Sequence, residues 1–100
     1  MPAYMIFIRE AEIFNVEEMA LYQAGNGESG PSHGIKPLVV YGKMEALEGV
    51  APDGMVVLEF PDTASAKAWY NDPSYQARSE HRKRAADYSA ILVEGWAPPA

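Results

Sequence analysis

The chain predicts an α+β domain in which four antiparallel strands form one sheet and helices cover one of its faces, in the order strand, helix, strand, strand, helix, strand. Three observations predict it. Four short runs are apolar and rich in β-branched and aromatic residues, as covered strands are. Capped segments with helical spacing separate the first run from the second and the third from the fourth. A chain of 100 residues is the usual size of a single domain, so residues 1–100 are expected to share one core.

The first strand is Ala3-Tyr4-Met5-Ile6-Phe7-Ile8, ended by Arg9 and Glu10. Asn15 with Glu18 three residues on is a capping box, and Val16, Met19, Ala20 and Gln23 continue at helical spacing. Gly25 is a plausible stop, and Gly25, Gly27, Gly30 and Gly34 with Pro31 favour a loop over further helix. A second strand is expected over residues 37–44 around Leu38-Val39-Val40-Tyr41. A turn containing Pro52 then precedes a third, Met55 to Phe60. Pro61 closes that strand, and Asp62 or Thr63 caps a short helix carrying Ala66, Trp69 and Tyr70. Asp72-Pro73 opens a second helical piece to about Ala85, so this helix is broken in two. The last strand runs from Tyr88 to Glu94 around Ile91-Leu92-Val93.

This order is the split βαβ, or ferredoxin-like, arrangement. All four strands read as apolar on both faces, yet the helices can cover only one. A second copy packing sheet to sheet removes such a patch without another gene product, so a homodimer is expected.

Composition narrows the function classes. No apolar run approaches the ~20 residues a membrane helix needs, and the N-terminus lacks the basic start of a signal peptide. The expectation is a cytoplasmic protein with no membrane partner. The absence of cysteine excludes disulfides, thiol nucleophiles and iron–sulfur ligation. A net charge of −6 argues against nucleic acid, because phosphate backbones are bound by Lys and Arg that displace counterions. One segment opposes this balance: Arg78, Arg82, Lys83 and Arg84 against Glu80 leave +3 on residues 78–84, and therefore −9 on the rest. Such a patch reads either as cations offsetting a helix C-terminus or as a site for an anion.

From Glu59-Phe60-Pro61 through Ala68-Trp69-Tyr70, Pro73-x-Tyr75-Gln76, Arg82 and Val93-Glu94-Gly95, the chain resembles the domain-of-unknown-function family numbered 1330. Tyr22 and Glu45-x-Leu47-Glu48-Gly49 match the same pattern, so the resemblance spans almost the whole chain. It implies a place in the dimeric α/β-barrel superfamily, whose branches include cofactor-free monooxygenases, isomerases and haem enzymes. The family has no assigned reaction. Where typical members continue the first helix, this chain has Gly25-Asn26-Gly27-Glu28-Ser29-Gly30-Pro31.

Two literal motifs in that loop carry no chemistry. Gly25-x-Gly27-x-x-Gly30 has the spacing of a dinucleotide fingerprint, but it follows a helix and leads to a strand, the reverse of what the motif needs. Gly30-x-Ser32-x-Gly34 resembles a nucleophile elbow without the strand-to-helix turn that exposes the serine. His33 and His81 are the only histidines and have no tight ligand spacing, so no metal and no cofactor is expected.

The remaining candidates are polar groups in apolar contexts. Glu59 interrupts an apolar strand, where a carboxylate either reaches water at the rim or sits with a raised pKa as a general base. Tyr75, Arg78, Ser79 and Arg82 fall at i, i+3, i+4 and i+7, giving a polar helix face able to line a wet cavity. Arg82 is the candidate for holding a carboxylate or an enolate-like oxygen, against a structural ion pair with Glu59 or Asp87. Glu59 or His81 would then serve as base. Tyr22, His33, Tyr41, Trp69 and Tyr75 are candidate ligand contacts, although Trp69, like Tyr70, is more simply explained as a core anchor.

The leading expectation is a homodimer binding a small organic molecule in a cavity between sheet and helices, with cofactor-free proton transfer or oxygenation as the chemistry to test. The alternative is a binding or assembly module with no enzymatic activity.

Overall fold

A computed structural model describes residues 1–10, 15–24 and 33–97, with the side chains of 22–24 outside that set. The elements run β1 (Ala3–Arg9), α1 (Val16–Ala24), β2 (Lys36–Val40), β3 (Gly54–Phe60), α2 (Thr63–Tyr70), α3 (Pro73–Ala85) and β4 (Tyr88–Glu94). The four strands make one antiparallel sheet in the order β2-β3-β1-β4. β1 is central, pairing Ala3 to Arg9 with Phe60 to Gly54 on one side and with Glu94 to Tyr88 on the other.

That register sorts the side chains, because successive strand residues point to opposite faces. Met5, Phe7, Leu58 and Phe60 point to the helix side and form the core with Met19, Ala66, Tyr75 and Ala85. Trp69 joins them, its ring 5.5 Å from Phe60 and 4.2 Å from Tyr75. Burying Phe60 stabilises the fold by roughly 1.5–3 kcal/mol, the usual worth of a side chain of this size. The opposite face carries Tyr4, Ile6 and Ile8 from β1, Met55 and Val57 from β3, and Ile91 and Val93 from β4, and no described helix packs on it. Ile91 and Val93 remain 48% and 45% exposed.

The helix starts follow their caps. The Glu18 backbone N–H donates to Asn15 Oδ1 at 3.0 Å, Ser65 N–H to Asp62 Oδ1 at 2.7 Å, and Ser74 N–H to Asp72 Oδ1 at 3.0 Å. Pro73 follows the last cap at the first helical position, where its missing N–H costs nothing. The break between α2 and α3 is therefore written in Asp72-Pro73.

Two expectations are corrected. β2 ends at Val40 instead of residue 44, because Tyr41, whose N–H still donates to the Met55 carbonyl at 2.8 Å, takes a left-handed backbone (φ 52°) that turns the following chain out of the ladder. In α1, among the described side chains of the expected inward set, Met19 is buried (3% exposed), while Val16 is 74% exposed and Ala20 is exposed too; the side chain of Gln23 lies outside the described residues. This short helix packs on α3 and offers it a narrow stripe. The face of α3 read as lining a wet cavity is turned inward: Tyr75, Ser79 and Arg82 are all buried. Residues 25–32, which contain most of both glycine motifs, lie outside the described residues.

Candidate functional site

Arg82 sits one turn before the end of α3, on the side that meets the sheet. Only 4% of its surface is exposed. Its guanidinium carbon lies 5.2 Å from the Phe7 ring centroid and 5.1 Å from that of Tyr88. Its Nε is buried with no hydrogen-bond partner, and it forms no ion pair among the described residues. Neither the Glu59 nor the Asp87 pairing considered from the sequence is formed. The two rings offset about 2 kcal/mol each when desolvated, whereas removing a cation from water costs several kcal/mol. The balance leaves a buried positive charge whose Nε donor is unused among the described residues, the local condition for capturing an anion.

Beside it stands a pair of tyrosines. Tyr41 leaves β2 in its left-handed conformation, and its ring crosses the helix side of the sheet to place its hydroxyl 2.6 Å from that of Tyr88 at the start of β4. Gly54 makes the crossing feasible: a Cβ there would lie 3.0 and 3.1 Å from the Tyr41 ring and 3.4 Å from the Arg9 guanidinium carbon. Arg9, last residue of β1, pairs in register with Gly54 on one side and Tyr88 on the other. Its guanidinium lies 5.8 Å from the Tyr41 centroid and donates from Nη2 to the Asp53 carbonyl at 2.9 Å. Arg9 Nε, like Arg82 Nε, is buried and lacks a hydrogen-bond partner. The result is a row of two arginines and two phenols across one end of the sheet.

The other sequence candidates lie elsewhere. Glu59 is on the open face, where the Tyr4 hydroxyl donates to Oε1 at 3.3 Å and Lys36 is its cross-strand neighbour. His81 joins α3 to α1: Nδ1 lies 2.6 Å from Glu18 Oε2, and Arg84 Nε lies 3.2 Å from Glu18 Oε1. Because a carboxylate only accepts, Nδ1 carries the hydrogen, so the nearby Arg84 Nη2 at 3.3 Å has no lone pair to donate to. The His81 bond, followed by the Arg84 cation, holds the Glu18 carboxyl below its usual range. A single site combining Glu59, His81 and Arg82 is thus corrected. Period 2 along β3 puts Glu59 through the sheet from Arg82, and residue 81 is turned about 100° around the helix from residue 82.

His33, also left-handed (φ 52°), approaches Asp72 at 3.6 Å and ties the approach to β2 to the junction of α2 and α3. Asp72 is held low mainly by the Ser74 hydroxyl, with His33 a smaller contributor. Trp69 and Tyr75 stack within the core, and the side chain of Tyr22 lies outside the described residues. A separate shallow cleft between α2 and β4 is lined by Met5, Lys67, Tyr70, Asn71, Ala90 and Leu92. Sequence reasoning named Arg82 and Tyr41 but missed Arg9 and Tyr88, whose only signal was their place at strand ends.

Comparison with known proteins places the fold. A protein of unknown function from Rhodopseudomonas palustris superposes with a TM-score of 0.68 at 23% identity, covering 97% of this chain and 84% of that one. A Bacteroides fragilis protein, described as dimeric, of unknown function and ferredoxin-like in fold, gives 0.62 at 14% identity, covering 94% and 96%. An uncharacterised NIPSNAP domain protein from Burkholderia xenovorans gives 0.50 at 17% identity over the whole of both chains. No curated protein sequence matches. Residues 2–96 match the domain of unknown function DUF1330, and the chain belongs to that family.

Proposed function

We propose that this protein is a homodimer that binds a small organic anion on the helix side of each sheet, with Arg82 as its anchor. The observation that carries the reading is Arg82 itself, buried at 4% exposure without an ion-pair partner among the described residues. Dimerisation is supported by the open apolar face and by the dimeric description of the Bacteroides fragilis neighbour. No described helix is long and apolar enough to cross a membrane, and the cysteine-free composition fits a cytoplasmic setting.

Binding without catalysis is favoured over proton transfer or oxygenation by one observation. Both groups assigned as base, Glu59 and His81, are engaged elsewhere, with Tyr4 and with Glu18. The deciding experiment is a thermal-shift screen of acidic and phenolic metabolites against the wild-type chain and Arg82→Gln. A ligand should raise Tm of the wild type and not of the variant. Stabilisation of both alike by every ligand found would remove Arg82 from the site.

A further inference from the structure

We infer that the ligand is a dianion, of the class of small dicarboxylates, gripped at one end by Arg82 and at the other by Arg9, with the Tyr41–Tyr88 pair between them. The inference rests on the reading that Arg82 holds an anion and adds the second charge. Arg9 and Arg82 each bury an Nε with no hydrogen-bond partner, and neither takes part in an ion pair among the described residues. They stand against the two rings of one hydrogen-bonded unit, at 5.8 Å from Tyr41 and 5.1 Å from Tyr88, with the hydroxyls 2.6 Å apart. When Tyr41 donates within the pair, the Tyr88 hydrogen is left for an outside acceptor. Arg9 already donates from Nη2 to the Asp53 carbonyl, so its remaining donors, the guanidinium fork of Arg82 and a phenol O–H match two carboxylates, the fork taking both oxygens of one of them. The surroundings sharpen the selection: the chain is acidic at −6 overall, so a dianion held here needs this local surplus of positive charge.

The test is calorimetric titration of the full chain with malonate, succinate, glutarate and adipate, against butyrate and valerate as monoanions and sulfate as a compact dianion. At least one dicarboxylate should bind about tenfold or more tightly than the monocarboxylate of equal length. Arg9→Gln should erase that preference while monoanion binding stays, and Arg9→Lys should retain most of it. Circular dichroism and urea unfolding confirm that each variant is folded. Equal binding of mono- and dicarboxylates, or a preference that survives Arg9→Gln, overturns the dianion while leaving the Arg82 site standing. Absence of binding by every anion overturns both, and sulfate binding as tightly as the best dicarboxylate overturns the two-ended grip.

Discussion

The hydroxyls of Tyr41 and Tyr88 meet at 2.6 Å, joining the two edge strands of the sheet across its helix-facing side. Three strand spacings separate β2 from β4, roughly 14 Å, which two tyrosine side chains placed end to end can span. The bridge needs a left-handed residue at Tyr41 to aim the ring and no side chain at Gly54 beneath it. The first prediction concerns this bridge. Tyr41→Phe should cost about 0.5–1.5 kcal/mol in urea unfolding, the net worth of a neutral hydrogen bond. Gly54→Ala forces the ring aside, so the double variant should lose less than the two singles together. Strict additivity would mean that the bridge does not depend on Gly54.

Arg82 makes the opposite kind of prediction. A buried cation with no counter-ion among the described residues is a liability until a ligand arrives, and a hydrophobic chain of similar length removes it. Arg82→Met, measured on extensively dialysed protein, should be about 1 kcal/mol more stable than wild type or better, while failing to gain stability from any anion. A large loss of stability in ligand-free buffer would identify Arg82 as a structural residue.

Acid sensitivity should trace to the clamp between α1 and α3. The Glu18 carboxyl is lowered chiefly by its hydrogen bond from His81. A carboxyl whose folded pKa lies below its unfolded one adds stability above the ordinary range near 4.5, and that stability is lost as pH falls through the folded value. Asp62, held low first by the Ser65 backbone N–H, and Asp72, held low first by the Ser74 hydroxyl, act with the same sign. Stability measured against pH should fall on the acid side, and Glu18→Gln should flatten part of that fall without changing ligand binding. An unchanged acid slope would assign it to the two helix caps alone.

The open sheet face is tested by mass in solution. Sedimentation at micromolar concentration should give twice the 11.0 kDa of one chain. Val57→Glu, placing a charge in the middle of that face, should give the monomer with its helix-side core intact. A wild-type monomer would require another cover for Ile6, Val57, Ile91 and Val93.

Glu59 supplies the matching control. It lies on the open face with Tyr4 and Lys36, so Glu59→Gln should leave anion binding unchanged and act only on association between copies. Loss of binding in this variant would show that the partner copy carries its Glu59 into the site.

Local chemistry was enough to read the framework. Apolar runs located the strands to within a residue or two except for β2, and Asn15, Asp62 or Thr63, and Asp72-Pro73 located the starts of the described helices, because caps and strand composition act over three or four neighbours. The uncovered face was legible too, from counting strands against helices. What no local pattern carries is which residues meet across the sheet. Arg9, Gly54 and Tyr88 are far apart in sequence and adjacent only because β1 pairs in one register with both neighbours. Tyr41 joins them only because its backbone turns left-handed. A one-residue slip would send each of these strand side chains through to the other face, as period 2 already sends Glu59 away from Arg82. The sequence by itself therefore determined the elements, their order and an apolar sheet face that its helices leave open. The tertiary pairing alone decided that two arginines and two tyrosines, not Glu59 and His81, stand together.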